Sequence, residues 1–426
     1  MSDTHHIAPA WPIVRRSPMA LWIHFLLALW IVSMVTSMEF VLSQAMIFLA
    51  ATVVFRFRKT AGRWRVELRP VWPLWKARLG THPVWLAPAV VFLLVLVSGL
   101  WSSDWAYWLE RLRIKSAFVV LPFVFAALPD WRREDLLTVF YVLLSTVALA
   151  ALWVLFHYWT SYEDVLAGLS RGQHMPTPSN HIRFSLTVAL AILGGIVLWQ
   201  QRFHLWKRQE RGLVFGLTAF LFVFIHVLSV RSGIVALYAG LFAGAMVWSW
   251  QRRRWWPLIV ASALITLAPM AAYRLLPSFK QRLDYARWDW KQFREGKGSQ
   301  YSDSERLASL RAGWAVWQDH FWLGVGAGDV RREVTQQYAR LYPDGHFTPK
   351  LPHNQFLTIA AGTGLLGLLA FFFAFWWPAF ACRLRQVWWP PWWWAFHVAI
   401  FTSFLVENTF ESNYGLSLYL LLLLPA

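Results

Sequence analysis

In LPHNQFLTIAAGTG, residues 351–364, a histidine stands between a proline and a long apolar run. Arginines stand at the edges of other apolar runs: Arg183 in SNHIRFSL and Arg231 in LSVRSGIVAL. A third, Arg306, opens the polar stretch DSERLASLRAGWAVWQDHFWLGVGAGDV, with Arg311 five residues on, and VENTFESN carries Glu407 and Glu411. The guanidinium fork of arginine matches phosphate oxygens bidentately, and a neutral imidazole accepts a proton. Together they suit transfer of a group away from a phosphate or diphosphate leaving group. Each residue also has a plainer reading. An arginine at a membrane edge can equally snorkel to headgroups, and a histidine can equally cap a helix.

Local patterning says how these groups are held. Pro352 suits the first position of a helix, which puts His353 in its first turn, where the positive end of the dipole favours the neutral ring. Asn354 follows as a supporting polar neighbour, and Ala360, Gly364 and Gly367 give a small-residue face that admits a close neighbouring helix. Leu307, Leu310, Trp314 and Trp317 recur at helical spacing, so the stretch 303–330 is expected to open with an amphipathic helix that has Ser304 as N-cap and Arg306 in its first turn. The GVGAGD that follows lacks a preceding strand and reads as a turn rather than a nucleotide loop.

The elements that must position these residues are membrane spans. Of 426 residues 58% are hydrophobic and only 15% charged, and apolar stretches near the roughly 20 residues that cross a bilayer recur along the chain. Twelve such stretches are expected: 19–37, 39–55, 83–100, 114–129, 136–159, 182–199, 213–229, 233–250, 256–273, 354–381, 391–406 and 413–426. The fold class is therefore an all-α polytopic membrane protein with one long outer loop containing amphipathic helices. Three parts follow: spans over 1–273, a loop domain over 274–352, and the last spans over 353–426. No small-residue cleavage site follows the first stretch, which is expected to stay in the chain. The 31 tryptophans and the net charge of +18 gather at the ends of apolar runs, which favours belts and orientation signals over nucleic-acid binding. One side receives 21 lysines and arginines, among them Arg15, Arg16, Arg132, Arg383 and Arg385, against 6 in the short loops opposite. Both termini are thus expected in the cytoplasm, and the long loop, His353 and the named arginines outside it. The single cysteine, Cys382, excludes an intramolecular disulfide, and no carboxylate–histidine cluster on the outer face has metal-ligand spacing. Neither metal nor cofactor is expected. A site outside the cytoplasm has no nucleotide sugars, so the transferred group must arrive activated, on a lipid.

The order of many spans, an R-S-G turn at Arg231, a late loop reading ER…RAGW…LGVGAGD and then HNQFL resembles the bacterial O-antigen ligase family, most specifically over about 225–367. That family belongs to the Wzy-C superfamily, with O-antigen polymerases and protein O-oligosaccharyltransferases. Phe321 stands where the family usually has proline, and Leu310 where it often has tryptophan. The resemblance makes His353 the essential histidine, Arg231 the span-edge arginine and Arg306 the loop arginine, with Arg183 a less clear match; Asn354, Arg311 and Glu407 are supporting candidates from their location alone. It implies metal-independent, inverting transfer of O-antigen glycan from undecaprenyl diphosphate to a lipid A-core sugar hydroxyl, at the periplasmic face of the bacterial inner membrane. The single long loop and the chain's end close after the last apolar stretch favour the ligase over its relatives. A lipid-linked glycan transporter or flippase is the reading from a different class. No internal repeat supports it, and the charged candidates cluster at one face rather than at the midplane.

Overall fold

A computed structural model of the chain describes residues 17–60, 63–81, 83–128, 133–205, 207–295, 302–343, 347–381 and 390–424. Arg15, Arg16, Arg132, Cys382, Arg383 and Arg385 lie outside the described residues. The chain is almost wholly helical. It opens with α1 (Pro18–Val35) and α2 (Glu39–Val54), a hairpin of β1 (Phe55–Thr60) and β2 (Arg63–Leu68), then α3 (Trp72–Thr81), α4 (Ala89–Ser98), α5 (Trp105–Lys115) and α6 (Ala117–Ala126). There follow α7 (Arg133–Thr160), α8 (Tyr162–Ser170), α9 (His181–Gln200), α10 (Glu210–Leu228), α11 (Arg231–Arg252) and α12 (Trp256–Leu275). The rest comprises α13 (Pro277–Arg294), α14 (Ser302–Asp319), α15 (Val330–Leu341), α16 (Gln355–Ala381), α17 (Pro390–Phe404), a 3-10 turn at Thr409–Glu411 and α18 (Asn413–Leu423).

Each of the twelve apolar stretches coincides with helix. Among the described residues, however, only seven helices are long and apolar enough to cross a membrane: α1, α7, α9, α10, α11, α12 and α16. The others, such as α2 with 16 residues and α18 with 11, fall short of the roughly 20 residues a perpendicular span needs. The basic run after α2 departs from the all-α expectation: alternating Arg-Phe-Arg and Trp-Arg-Val pair antiparallel, with Phe55 opposite Leu68 and Arg58 opposite Arg65. Period-two alternation suits a strand better than a helix.

Buried apolar side chains of α1, α7, α9, α10, α11, α17 and α18 form one continuous core. The polar interval after α12 folds onto this bundle: α13 packs on α8 and α10, and α14 lies on α16. A second, smaller core joins Ala308, Ala312 and Val316 of α14 to Val325, Val334, Tyr338 and Ala361. The sequence put the Leu/Trp stripe of α14 inward. The structure instead buries the small residues and leaves Trp314 49% exposed, because α14 sits too close to its neighbours for large side chains between them.

The tenth apolar stretch is broken. Gly364 has φ 65° and ψ −166°, a conformation open in practice to glycine alone, and splits α16 into a short N-terminal half, 355–363, and a longer C-terminal one. A Cβ there would lie 2.1 Å from the Trp322 carbonyl oxygen. At Gly364 the neighbour admitted is loop backbone, whereas Gly367 faces Leu94 of helix α4. The LGVGAGD turn fills the break: Val325 N donates to Ala361 O at 2.8 Å, Gly326 N to Gly362 O at 2.9 Å, and Leu365 N to Phe321 O at 2.8 Å. Those bonds satisfy backbone groups that a broken helix would leave bare inside the bundle. The carboxylate of Asp329 then accepts from Ser103 N at 2.7 Å and Asp104 N at 3.0 Å, anchoring the turn to the approach to α5.

Candidate active site

His353 lies two residues before α16 rather than in its first turn. The helix starts at Gln355, and Asn354 is its N-cap, with Oδ1 accepting from Leu357 N at 3.0 Å. A side-chain cap outcompetes Pro352 for the helix start. The Asn354 Nδ2 donates to Leu405 O at 3.1 Å, tying this end of α16 to the segment after α17. Its backbone neighbour, His353 N, donates to Ser309 Oγ of α14 at 3.2 Å. The histidine is thus pinned between two elements far apart in sequence.

The segment held by Asn354 delivers Glu407. This carboxylate is 8% exposed, with Oε2 3.5 Å from His353 Nδ1 and Oε1 3.7 Å from Arg183 Nη2. Burial alone would raise its pKa. The hydrogen bond and charge of His353, with the charges of Arg183 and Arg306, outweigh that and hold it below the ordinary carboxylate value. Arg183 is the third residue of α9, whose N-cap, Asn180, accepts from Ile182 N and Arg183 N. Arg306 is half-buried on α14, one turn before Ser309, whose hydroxyl donates to the Arg306 carbonyl at 2.6 Å. Because α14 begins at Ser302, Ser304 is no N-cap: it is buried inside the helix, 3.4 Å from Asp289 Oδ1. Arg306 accordingly sits in the second turn, where the dipole opposes it less.

Arg231 opens α11 immediately after Ser229 takes a left-handed conformation, φ 60°, that ends α10. The tight turn expected there is two residues long. The guanidinium is exposed, and its charge, with that of Arg306, bears on His174. His174 stacks on His181 with ring centroids 3.5 Å apart, and Arg282 Nη2 donates to His174 Nδ1 at 3.1 Å. Burial, then the charges of His181, Arg282, Arg306 and Arg231, push His174 down to about 3.

The structure thus brings His353, Glu407, Arg183, Arg306 and Arg231 to one face, around the N-terminal ends of α9, α11 and α16, whose dipoles add positive potential. Arg311 does not join them. It is exposed on α14, about 140° around the helix from Arg306. His174, His181 and Arg282 belong to the cluster although the sequence reading did not group them. No spacing links them, and the only signal was that all three fall in outer intervals. Among the described residues, no group of three or more histidine, cysteine or acidic side chains is placed to hold a metal ion.

An anion with a hydroxyl-bearing partner fits this arrangement: cations and helix ends for the one, an imidazole backed by a carboxylate for the other. No curated protein matches the chain. Residues 216–372, from the middle of α10 to beyond the break in α16, match the family model described as O-antigen ligase, Wzy_C. That stretch, a little over a third of the chain, contains Arg231, Arg306 and His353, and it supports membership of the O-antigen ligase and polymerase superfamily.

Proposed function

We propose that the protein is an O-antigen ligase, transferring glycan from undecaprenyl diphosphate to a sugar hydroxyl of lipid A-core. In this reading both termini are cytoplasmic, residues 274–352 form the outer loop domain, and the cluster faces the periplasm from the bacterial inner membrane. The observation that carries it is the His353–Glu407–Arg183 chain set beside Arg306 and Arg231. Glu407, 3.5 Å from Nδ1 of His353, favours the tautomer protonated at Nδ1, which leaves Nε2 to take the proton of the acceptor hydroxyl. The hydroxyl oxygen attacks the anomeric carbon from the face opposite the diphosphate. The carbon–oxygen bond to the diphosphate breaks with its electron pair, so the centre inverts. Arg231 and Arg306 stabilise the charge that develops on the leaving group without a metal. The proton on His353 then returns to water.

The test is transfer by the purified chain, with lipid-linked glycan, lipid A-core and a chelator. Expected are glycan joined to lipid A-core, and a His353→Ala variant that folds but loses on the order of 100- to 10,000-fold in rate. Arg231→Lys keeps the charge and loses the fork, and a loss on the order of 10- to 1,000-fold is expected. Growth of the glycan on its carrier would instead make the protein a polymerase. Transfer to protein would make it an oligosaccharyltransferase, and movement of intact donor across a bilayer a flippase.

A further inference from the structure

The N-terminal half of α16 also lines a crevice, walled by Val91, Leu94 and Val95 of α4, Ile359 of α16 and Tyr107 of α5. Its floor is charged. Lys115, 1% exposed, donates to Glu411 Oε1 at 2.7 Å and to the Phe410 carbonyl, and Arg111 Nη1 lies 3.6 Å from Glu411 Oε2. Arg111, Tyr107 and Leu351 also line an adjoining polar basin with Arg331 and Lys350. Arg111 also pairs with Glu110 and Lys350 with Glu305, so across the two spaces four cations meet three carboxylates, Glu411, Glu110 and Glu305. Apolar walls that give way to a net-positive mouth are complementary to an amphiphile with a hydrocarbon chain and an anionic head, and to neither a sugar nor a fatty chain alone.

The same loop serves both the crevice and the candidate active site. Glu407 turns toward His353, whereas Glu411 turns the other way and accepts from Gln355 Nε2 at 3.1 Å, with Phe410 N donating to Gln355 Oε1 at 2.8 Å. Thr358 lines the crevice and its hydroxyl reaches Asn408 Oδ1 at 3.3 Å. An occupant therefore stands about one helix diameter, roughly 10 Å, from the candidate base.

We propose that this crevice binds an anionic lipid, its chain between α4 and α16 and its phosphate at Arg111. The placement beside His353 as a substrate site rests on the transfer reading, but the binding does not. The carrier lipid, the acceptor lipid and bulk phospholipid share this chemistry.

The test is thermal stabilisation and native mass spectrometry of the full chain in detergent with undecaprenyl phosphate, lipid A, phosphatidylglycerol or phosphatidylcholine. Expected is retention of at least one of the three anionic lipids over phosphatidylcholine, with affinity falling 10-fold or more in Arg111→Gln and in the crevice-filling Leu94→Trp. Leu366→Trp, at a position 54% exposed, serves as the folded control and binds as wild type. Should Leu94→Trp fail to fold, Arg111→Gln and Ile359→Phe carry the test. The lipid retained best names the source, and phosphatidylglycerol retained as well as the others makes the occupant bulk phospholipid. Unchanged binding in both folded variants, or equal retention of phosphatidylcholine, overturns the proposal. Binding without glycan transfer would sink the ligase reading and leave the lipid site standing. Transfer with normal KM values for both lipids in the variants would show that the crevice serves neither substrate.

Discussion

At the scale of single residues, the informative group is Glu407, a carboxylate bridging Arg183 and His353. If it fixes the imidazole, Glu407→Gln leaves the protein folded and lowers kcat while the KM values hold. The loss expected is on the order of 10- to 1,000-fold, a part of what a general base contributes. Steady-state kinetics of Glu407→Gln beside Glu407→Asp check this, with partial recovery expected for the aspartate. A variant as fast as wild type would reduce Glu407 to a partner of Arg183. His174 gives a pH prediction. Its folded value is held at about 3 against an ordinary 6.5, so between those values the unfolded chain takes up the proton first. Stability from the neutral ring is complete above pH about 6.5 and declines as the pH falls toward 3. The melting temperature should drop from pH 7.5 to pH 5, and less so in His174→Phe, which keeps an aromatic ring for the stack on His181 but cannot protonate. Of these residues, His353 and the arginines were legible because a titratable side chain beside an apolar run is costly and so conspicuous. The stacked histidines were not, because nothing in their spacing says that two loop residues meet.

At the scale of elements, the break in α16 decides where the histidine sits. The N-terminal half-helix is held by backbone bonds from the LGVGAGD turn rather than by its own continuation, so the loop and the half-helix form one unit. Gly364→Ala must both adopt φ 65° and clear the Trp322 carbonyl, and at Gly324, with φ 67°, a Cβ would lie 2.5 Å from the backbone of Gly362. Backbone strain of about 1–3 kcal/mol is expected at each, with the overlap added to it. Gly364→Ala should lower the melting temperature and the transfer rate together, whereas Gly212→Ala, where a Cβ meets nothing within 4 Å, should change neither. Sequence reading found the turn and the small residues but assigned the latter to helix packing. Both uses need a missing side chain, and only the three-dimensional partner tells them apart. The start of α16 slipped by three residues for a similar reason: proline and asparagine both signal a helix start, and the bond from Leu357 N to Asn354 decides between them.

At the scale of the whole molecule, seven helices among the described residues meet the length and composition of a span, while the helices at five further apolar stretches are shorter. Sidedness separates the two counts and tests the orientation. In a Cys382→Ser background, single cysteines at Thr335 on α15 and at Gln209 before α10 should be labelled from opposite sides of the membrane by an impermeant reagent. Labelling of both from one side would overturn the assigned topology. By itself, the sequence determined that the chain is helical and membrane-embedded, that its histidine and arginines lie at apolar edges, and that it resembles a family of lipid-linked glycan transferases. Hydrophobic runs and charge bias are local quantities, additive along the chain, so they survive without coordinates. Only the tertiary structure decided that Glu407 turns to His353 while Glu411 turns to Lys115, and that Arg306 belongs to the cluster while Arg311 does not. Those outcomes depend on side-chain directions across contacts between residues far apart in sequence, which no local pattern encodes.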